Sequence, residues 1–324
     1  MNNLVIMDKY NNDTKINVNN IDNSSEKSKS VNSDSSKSRM LSENYLFIKK
    51  IGSGSFGEVY IAEYKNGGYV AAKVEDKSKS PRVRNEYKIY RYLHKKGFVN
   101  GLPKIYEFVQ TPDFNIMFMQ LLGPSLEDLK NKYNKKFTLD TTLLLADQLI
   151  SLLENLHSVN FIHRDIKPNN FLIGRDNLRS QIFIMDFGLS KKYITNRKHI
   201  EFRDNRSLIG TARYASINMH MGIEPTRRDD LESVGYMILY FLKGRLPWQG
   251  IKKTKGKTNI DAIGEVKMCT SLDDICEGIP SCFKEYIKYC RNLKFDEIPD
   301  YTYLRNLFRN CSISMRIKPK YQWD

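Results

Sequence analysis

The sequence predicts an α+β protein with two lobes, a small five-stranded β lobe followed by a larger, mainly α-helical one. Three observations carry this. Five short β-branched and aromatic runs follow one another between Tyr45 and Met119, separated by turn residues. Gly123-Pro124 then ends the strand-like pattern and makes a natural hinge over 120–124. Beyond it, Leu145, Leu149, Leu152, Leu153 and Leu156 recur at helical spacing within Leu139–His157. A chain of 324 residues with 40% apolar content is long enough to bury a core in each part.

Residues 1–40 precede the lobes. They begin Asn-rich, and eight serines between Ser24 and Ser38 alternate with Lys, Asp and Glu. No periodic apolar face offsets the entropy of ordering this stretch, so it is expected to be a disordered tail, with its serines as candidate phosphoacceptors. The folded part is expected over 41–311, with the first lobe at about 45–119, the second at 125–311 and a short tail at 312–324.

Tyr45–Ile48 with Ile51 reads as the first strand and Glu58–Ala62 as the second. Between them Gly52-Ser53-Gly54-Ser55-Phe56-Gly57 forms a turn whose backbone can close over phosphates, because side chains are absent where a ligand approaches. The same glycine spacing occurs in dinucleotide sites, but there it opens a helix, and here it joins strand to strand. Tyr69–Glu75 is the third strand. Its one lysine, Lys73, is costly in an apolar run unless it meets an anion. Glu86, on the helix-like segment 82–93, would hold that lysine, and Glu75 on the same strand is the weaker candidate. Ile105–Val109 and Asn115–Met119 complete the sheet.

The long helix of the second lobe leads to His163-Arg164-Asp165-Ile166-Lys167-Pro168-Asn169-Asn170. These residue types at this spacing fit phosphoryl transfer. Asp165 would take or orient the proton of an attacking hydroxyl, Asn170 would hold a metal ion, and Lys167 would neutralise charge on the transferring group. Asp186-Phe187-Gly188 supplies a second carboxylate for metal. The segment 189–221 is long, polar and basic. Arg228–Gly235 opens an apolar helix through Leu242, where Asp230 reads either as an N-cap or as a tie to the backbone of the 163–165 turn. Phe283–Asn292 and Tyr301–Arg309 read as further helices, and Lys252–Lys257 as a basic loop.

The formal net charge is +15, of which residues 1–40, with six Lys/Arg and five Asp/Glu, supply almost nothing. A basic folded part favours an anionic ligand. No aromatic–basic strip supports nucleic acid as that ligand. Cys269, Cys276, Cys282, Cys290 and Cys311 match no zinc spacing and are expected to be reduced structural thiols. The start has too short an apolar run for a signal peptide, and no window reaches the roughly 18 apolar residues of a membrane span. A monomer in the cytoplasm or nucleus, without membrane association, is the expectation.

Together these features resemble a eukaryotic protein kinase over about residues 45–310, and within that superfamily the chain is similar to casein kinase 1. The runs that carry the likeness are Leu121–Leu129, Asn160–Pro168, Gly210-Thr211-Ala212-Arg213-Tyr214-Ala215-Ser216-Ile217-Asn218 and Arg227–Ser233. Most kinases carry A-P-E where this chain has Ser216-Ile217-Asn218, so the usual glutamate–arginine pair under that segment cannot form from residue 218. The resemblance implies ATP with Mg2+ as cofactor, lying under Ile51, Gly52, Ser53, Gly54, Ser55, Phe56, Gly57, Glu58 and Val59. It implies adenine between Ala71 and Leu172, backbone bonds at Gln120 and Leu122, and Met119 as gatekeeper. Lys73 with Glu86 would fix the phosphates, Asp165, Lys167 and Asn170 would act at the reaction centre, and Asn170 and Asp186 would bind metal.

The implied acceptors are Ser or Thr of acidic or already phosphorylated proteins, without a need for activation-loop phosphorylation. Arg164, Lys191 and Arg206 match one anion pocket of the family and Arg213 part of a second, while internal salt bridging is the competing role for Arg164 and Arg206. Asn259 stands where the family carries a lysine of the second pocket. A pseudokinase or scaffold is the first rival, opposed by the presence of Lys73, Asp165, Asn170 and Asp186. A nucleic-acid-binding protein is the second. Lys167 argues against a tyrosine kinase.

Overall fold

The computed structural model describes residues 43–54, 57–78, 82–251, 256, 258–318 and 320–324. The N-terminal stretch 1–40, Ser55 and Phe56 of the glycine-rich turn, and Lys252, Lys253, Lys255 and Lys257 of the basic loop lie outside the described residues. The chain divides into two compact units. The first holds the chain up to Pro81 and Tyr106–Leu121, the second Arg82–Ile105 and Leu122–Asp324.

The first unit is an antiparallel sheet of β1 (Tyr45–Gly54), β2 (Gly57–Tyr64), β3 (Tyr69–Asp76), β4 (Ile105–Gln110) and β5 (Phe114–Gln120), in the order β1-β2-β3-β5-β4. Alternation along β3 sets its two faces. Val70, Ala72 and Val74 join Tyr45, Ala62, Ile116 and Phe118 in the core, where the Tyr45 ring stacks on Phe118 at 3.7 Å. Ala71, Lys73 and Glu75 therefore project from the opposite face. Gly57 is demanded by the fold itself: its φ is +129°, and a Cβ there would lie 2.2 Å from the Val74 carbonyl oxygen. Among the described residues, a Cβ added at Gly52 would meet nothing closer than Val59 Cβ at 3.8 Å, so their packing does not explain that glycine.

The second unit begins with α1 (Val83–Lys95) and continues through α2 (Leu126–Lys132) and α3 (Leu139–Ser158). The short strands β6 (Phe161–Ile162), β7 (Phe171–Ile173), β8 (Ile182–Ile184), β9 (Lys191–Lys192), β10 (Ile194–Thr195) and β11 (Lys198–His199) follow. Then come α4 (Ile217–His220), α5 (Arg227–Lys243), α6 (Asn259–Cys269), α7 (Leu272–Cys276), α8 (Ser281–Asn292) and α9 (Tyr301–Ser314). Helix α1 falls in this unit and not with the sheet, because Tyr90 packs edge-on against Phe187 at 4.9 Å and bonds Met185. Leu145, Leu149, Leu152, Leu153 and Leu156 of α3 are all buried, each worth about 1.5–3 kcal/mol of transfer free energy. Helix α3 packs against α5 and α9. No helix among the described residues is long and apolar enough to cross a membrane.

Helices α2, α4, α6 and α7 have no counterpart in the pattern read from the sequence. For α6 the reason is physical. Its buried face is Ala262, Gly264 and Lys267, while Ile260 and Met268 are exposed, so no apolar stripe marks it. What starts it is a capping box of Thr258 and Asp261, and Asn259, expected in a loop, is its first residue. Residues 320–324 are also ordered against the unit. Thr138 N donates to Gln322 Oε1 (2.7 Å), Gln322 N to Thr141 Oγ1 (3.0 Å), and Trp323 Nε1 to the Arg179 carbonyl (3.2 Å).

Candidate active site

The turn at 163–165 is built by α5. Thr226 and Asp229 cap that helix, which frees the next residue, Asp230, to face the turn. Its Oδ2 accepts from His163 N at 2.7 Å and its Oδ1 from Arg164 N at 2.9 Å. Asp230 is thus the tie and not the cap. Arg164 is held at φ +68°, and the His163 ring bonds the Met185 carbonyl at 2.9 Å.

Asp165 follows, buried to 5% exposure. Lys167 Nζ donates to its Oδ2 at 2.6 Å, and Thr211 Oγ1 to its Oδ1 at 2.7 Å. Asn170 Nδ2 donates to the Asp165 carbonyl at 2.9 Å and reaches Oδ2 at 3.4 Å. Each carboxylate oxygen is therefore fixed by a side chain of the chain itself. With its amide nitrogen committed to Asp165, Asn170 presents Oδ1 as an acceptor. Gly210 brings Thr211 this close: its φ is +83°, and a Cβ there would lie 2.4 Å from the Arg164 carbonyl oxygen.

Asp186 sits in the left-handed region at φ +63°, and its N–H donates to Tyr90 Oη at 3.3 Å. Burial, then the charges of Glu86 and Asp186, push the Tyr90 phenol far above its ordinary range, so all three lie in one neighbourhood of the second unit. Among the described residues no group of three or more His, Cys, Asp or Glu side chains is arranged to hold a metal. A carboxylate and an amide oxygen, Asp186 and Asn170, suit instead a hard cation that takes its other ligands from water and phosphate.

In the first unit, Ile51, Gly52, Ser53 and Gly54 end β1, and Gly57, Glu58 and Val59 begin β2. Glu58 is engaged by Lys50 and by the Tyr60 hydroxyl. Lys73 lies opposite Val59 on one side and Met117 on the other, and Ala71 opposite Met119. Glu75, the weaker candidate partner of Lys73, accepts from Asn115 Nδ2 at 3.0 Å. Gln120 ends β5. In the second unit Leu122 is buried, Glu86 is buried in the first turn of α1, and Leu172 is the middle residue of β7.

Arg164, Lys191 and Arg206 come together, around a carboxylate that the sequence did not flag. Lys191 Nζ lies 2.7 Å and Arg164 Nη1 3.7 Å from Glu224 Oε1, and Arg206 Nε 3.3 Å from Oε2. Burial alone would raise the Glu224 pKa, but the Lys191 bond and the three cations outweigh it and hold it below the ordinary range. One carboxylate against three cations leaves the group positive. Its members differ in exposure: Glu224 4%, Arg164 15%, Lys191 36% and Arg206 51%. Arg213 instead lies over the Tyr214 and Tyr240 rings, at 5.8 and 5.7 Å.

Beside Asn218, the chain is held from α5. Glu232 Oε1 accepts from Ile217 N at 3.2 Å and pairs with Arg291 Nε at 3.5 Å. Asp229 Oδ1 accepts from Ser216 Oγ at 2.6 Å. Burial pushes Asp229 up to about 6 despite that bond. Thr211, Glu224 and Glu232 were not singled out from the sequence. Thr211 had a signal, in the run Gly210–Asn218; Glu224 had none, being one acidic residue in a polar stretch.

A family model described as a protein kinase domain matches residues 45–296.

Proposed function

The chain belongs to the protein kinase family, and from that premise we propose that it is a serine/threonine kinase of the casein kinase 1 type, acting on acidic or phosphoprimed proteins. Membership implies ATP and a divalent cation as cofactors and proteins as substrates. The cation we assign is Mg2+, which readily keeps waters and phosphate oxygens as ligands and needs few from protein.

The observation that carries the reading is the hydrogen-bonded set Asp165–Lys167–Thr211–Asn170. An acceptor hydroxyl at Asp165 would be oriented by a carboxylate whose two oxygens are already aimed, and positioning of this kind supplies much of the barrier reduction in phosphoryl transfer. Lys167, bonded to Asp165, would neutralise charge on the transferring group. Asn170 Oδ1 and Asp186 would hold the cation, which when bound neutralises the phosphate oxygens. Lys73, with Glu86 as its proposed partner, would fix the α- and β-phosphates under Gly52–Val59, with Ala71, Met119, Gln120, Leu122 and Leu172 taking the adenine.

The group around Glu224 supports the substrate preference. Ion pairs at half-exposed side chains are worth about 0–1 kcal/mol, so Arg206 gives up little in turning to an incoming phosphate. A phosphate offers more charge and more acceptors than a carboxylate. An oriented peptide library, assayed with labelled ATP with and without phosphoserine three residues before the acceptor, tests the proposal. Transfer to Ser and Thr, raised by priming or by acidic neighbours, is expected. Transfer confined to Tyr, or indifferent to charge, overturns it.

A further inference from the structure

Lys267 on α6 is fully buried, and its ammonium is surrounded by the backbone of one short stretch. Nζ lies 3.1 Å from the Ala212 oxygen, 3.4 Å from that of Arg213 and in contact with that of Ala215. His220 Nε2 is 3.2 Å away, and the Tyr236 and Trp248 rings flank the charge at 4.8 and 4.9 Å. A buried ammonium is costly unless its hydrogens are taken. Carbonyl dipoles and two π faces offset that cost here.

A count of hydrogens shows how specific the arrangement is. Trp248 Nε1 already serves the Arg213 oxygen at 2.7 Å. Ala212, Ala215 and His220 Nε2 remain for the ammonium, and His220 Nε2 itself lies 3.1 Å from the Ala212 oxygen. His220 can accept because its ring is neutral: burial and then the Lys267 charge bring it down to about 4. An uncharged amine would give up one donated bond and the charge that the carbonyl dipoles and π faces stabilise.

The stretch so held runs up to the reaction centre. Thr211, its first residue, donates to Asp165, and Asp229 and Glu232 secure only its far end, at Ser216 and Ile217. We propose that Lys267 is a positioning residue for the kinase reaction: it fixes residues 211–215 beside the acceptor at Asp165, and so governs binding of the protein substrate without touching nucleotide. This rests on the kinase reading.

The grip depends on protonation. Burial, opposed by Glu232 on α5 and reinforced by Arg291 on α8, lowers the Lys267 pKa to about 7. The other groups facing it are His220 from α4 and Tyr236 from α5, and Asp261 of its own helix acts on His220. Above neutrality the third hydrogen is lost and the stretch loosens.

Peptide KM and ATP KM are measured from pH 6 to 8.5 for the wild type and Lys267→Met, on a glutamate-rich peptide in which no group titrates over that range. Hydrogen exchange of residues 211–216, corrected for its intrinsic pH dependence, is followed on the same proteins. The wild-type peptide KM is expected to rise about fivefold across the range, the effect of one hydrogen bond, with ATP KM unchanged. Lys267→Met should show a high, pH-independent peptide KM and faster exchange at 211–216. A flat wild-type profile, or a variant matching wild type in both readouts, overturns the proposal. If Lys267→Met does not fold, the wild-type pH series decides. If no peptide is phosphorylated, the kinase reading fails alone, and the pH dependence of exchange at 211–216 still decides whether Lys267 holds the stretch.

Discussion

One carboxylate, Asp230, accepts hydrogen bonds from two successive backbone N–H groups, those of His163 at 2.7 Å and Arg164 at 2.9 Å. It thereby holds Arg164 in a left-handed conformation that costs a non-glycine residue of order 1–3 kcal/mol, and it aims the next residue, Asp165. His157 Nε2 is its third partner, at 3.0 Å.

Replacing Asp230 with Ala is expected to destabilise the second unit by about 3–5 kcal/mol, since a buried, hydrogen-bonded charge and both its backbone contacts are lost. Asp230→Asn keeps one acceptor and should fall between. Urea unfolding midpoints, read with phosphoryl-transfer rate, check the order wild type, Asn, Ala. An Ala variant as stable as wild type would mean that the turn holds itself.

The same buried pair predicts acid sensitivity. Burial lowers the His157 pKa, more than Asp230 restores it, and burial and Lys267 bring His220 to about 4. A base with a depressed folded pKa binds fewer protons folded than unfolded, so stability falls as pH drops below its unfolded value of about 6.5. For Asp230, burial is outweighed by His157 and the backbone donors, and its pKa is lowered. Its contribution is present above about pH 3.9, the unfolded value, and is lost as pH falls through the lower folded one. Both act in one direction, while Asp229, raised to about 6, opposes them between about pH 6 and 4 and softens the decline. The melting temperature should decline from pH 7 to 5 and again below 4, and His157→Gln should flatten the first limb. A melting temperature that rises on acidification contradicts this.

At the reaction centre, Asp165→Asn is expected to slow transfer by roughly 10²–10⁴-fold, the usual worth of a positioned acid or base, with nucleotide binding retained. Thr211→Val removes the one bond to Asp165 Oδ1 among the three that aim the carboxylate and should cost about 5–10-fold. Single-turnover rates and nucleotide titrations separate the two effects. Undiminished turnover in Asp165→Asn would remove that residue from the mechanism.

Around Glu224 two substitutions should move in opposite directions. Arg206→Ala is expected to lower the preference for phosphoprimed over acidic peptides by about tenfold, the worth of one charge-assisted bond. Glu224→Gln removes the resident anion and should raise the same ratio while lowering the melting temperature. Ratios of kcat/KM for a matched peptide pair measure both. Parallel losses on the two peptides would assign the cluster to folding alone.

The sheet and α3 were legible because their burial follows a period: two in β3, where Val70, Ala72 and Val74 face the core, and helical in the leucines of α3. The bonded set of Asp165, Lys167 and Asn170 was legible because these residues lie close in sequence. What stayed hidden is carried by single residues far apart in the chain. Glu224 gathers Arg164, 60 positions earlier in the numbering, and Lys267 reaches back |i−j| = 55 to Ala212. In α6 the buried face contains a lysine and a glycine where a pattern search looks for leucines. Polar burial of this kind has no period and is recognised only once its partners are in place.

Residues 320–324 carry a consequence for how the protein is made. Gln322 and Thr141 are 181 positions apart, and at the ~5–20 residues per second of synthesis the partner emerges roughly 10–40 s after the first turn of α3. Until then Thr138 N lacks Gln322, and the Arg179 carbonyl lacks Trp323. On the ribosome the helix that precedes the 163–165 turn must wait with its beginning unlatched. A chain cut short of Lys320 is expected to fold more slowly and to linger with chaperones, although every residue placed at the reaction centre is already present.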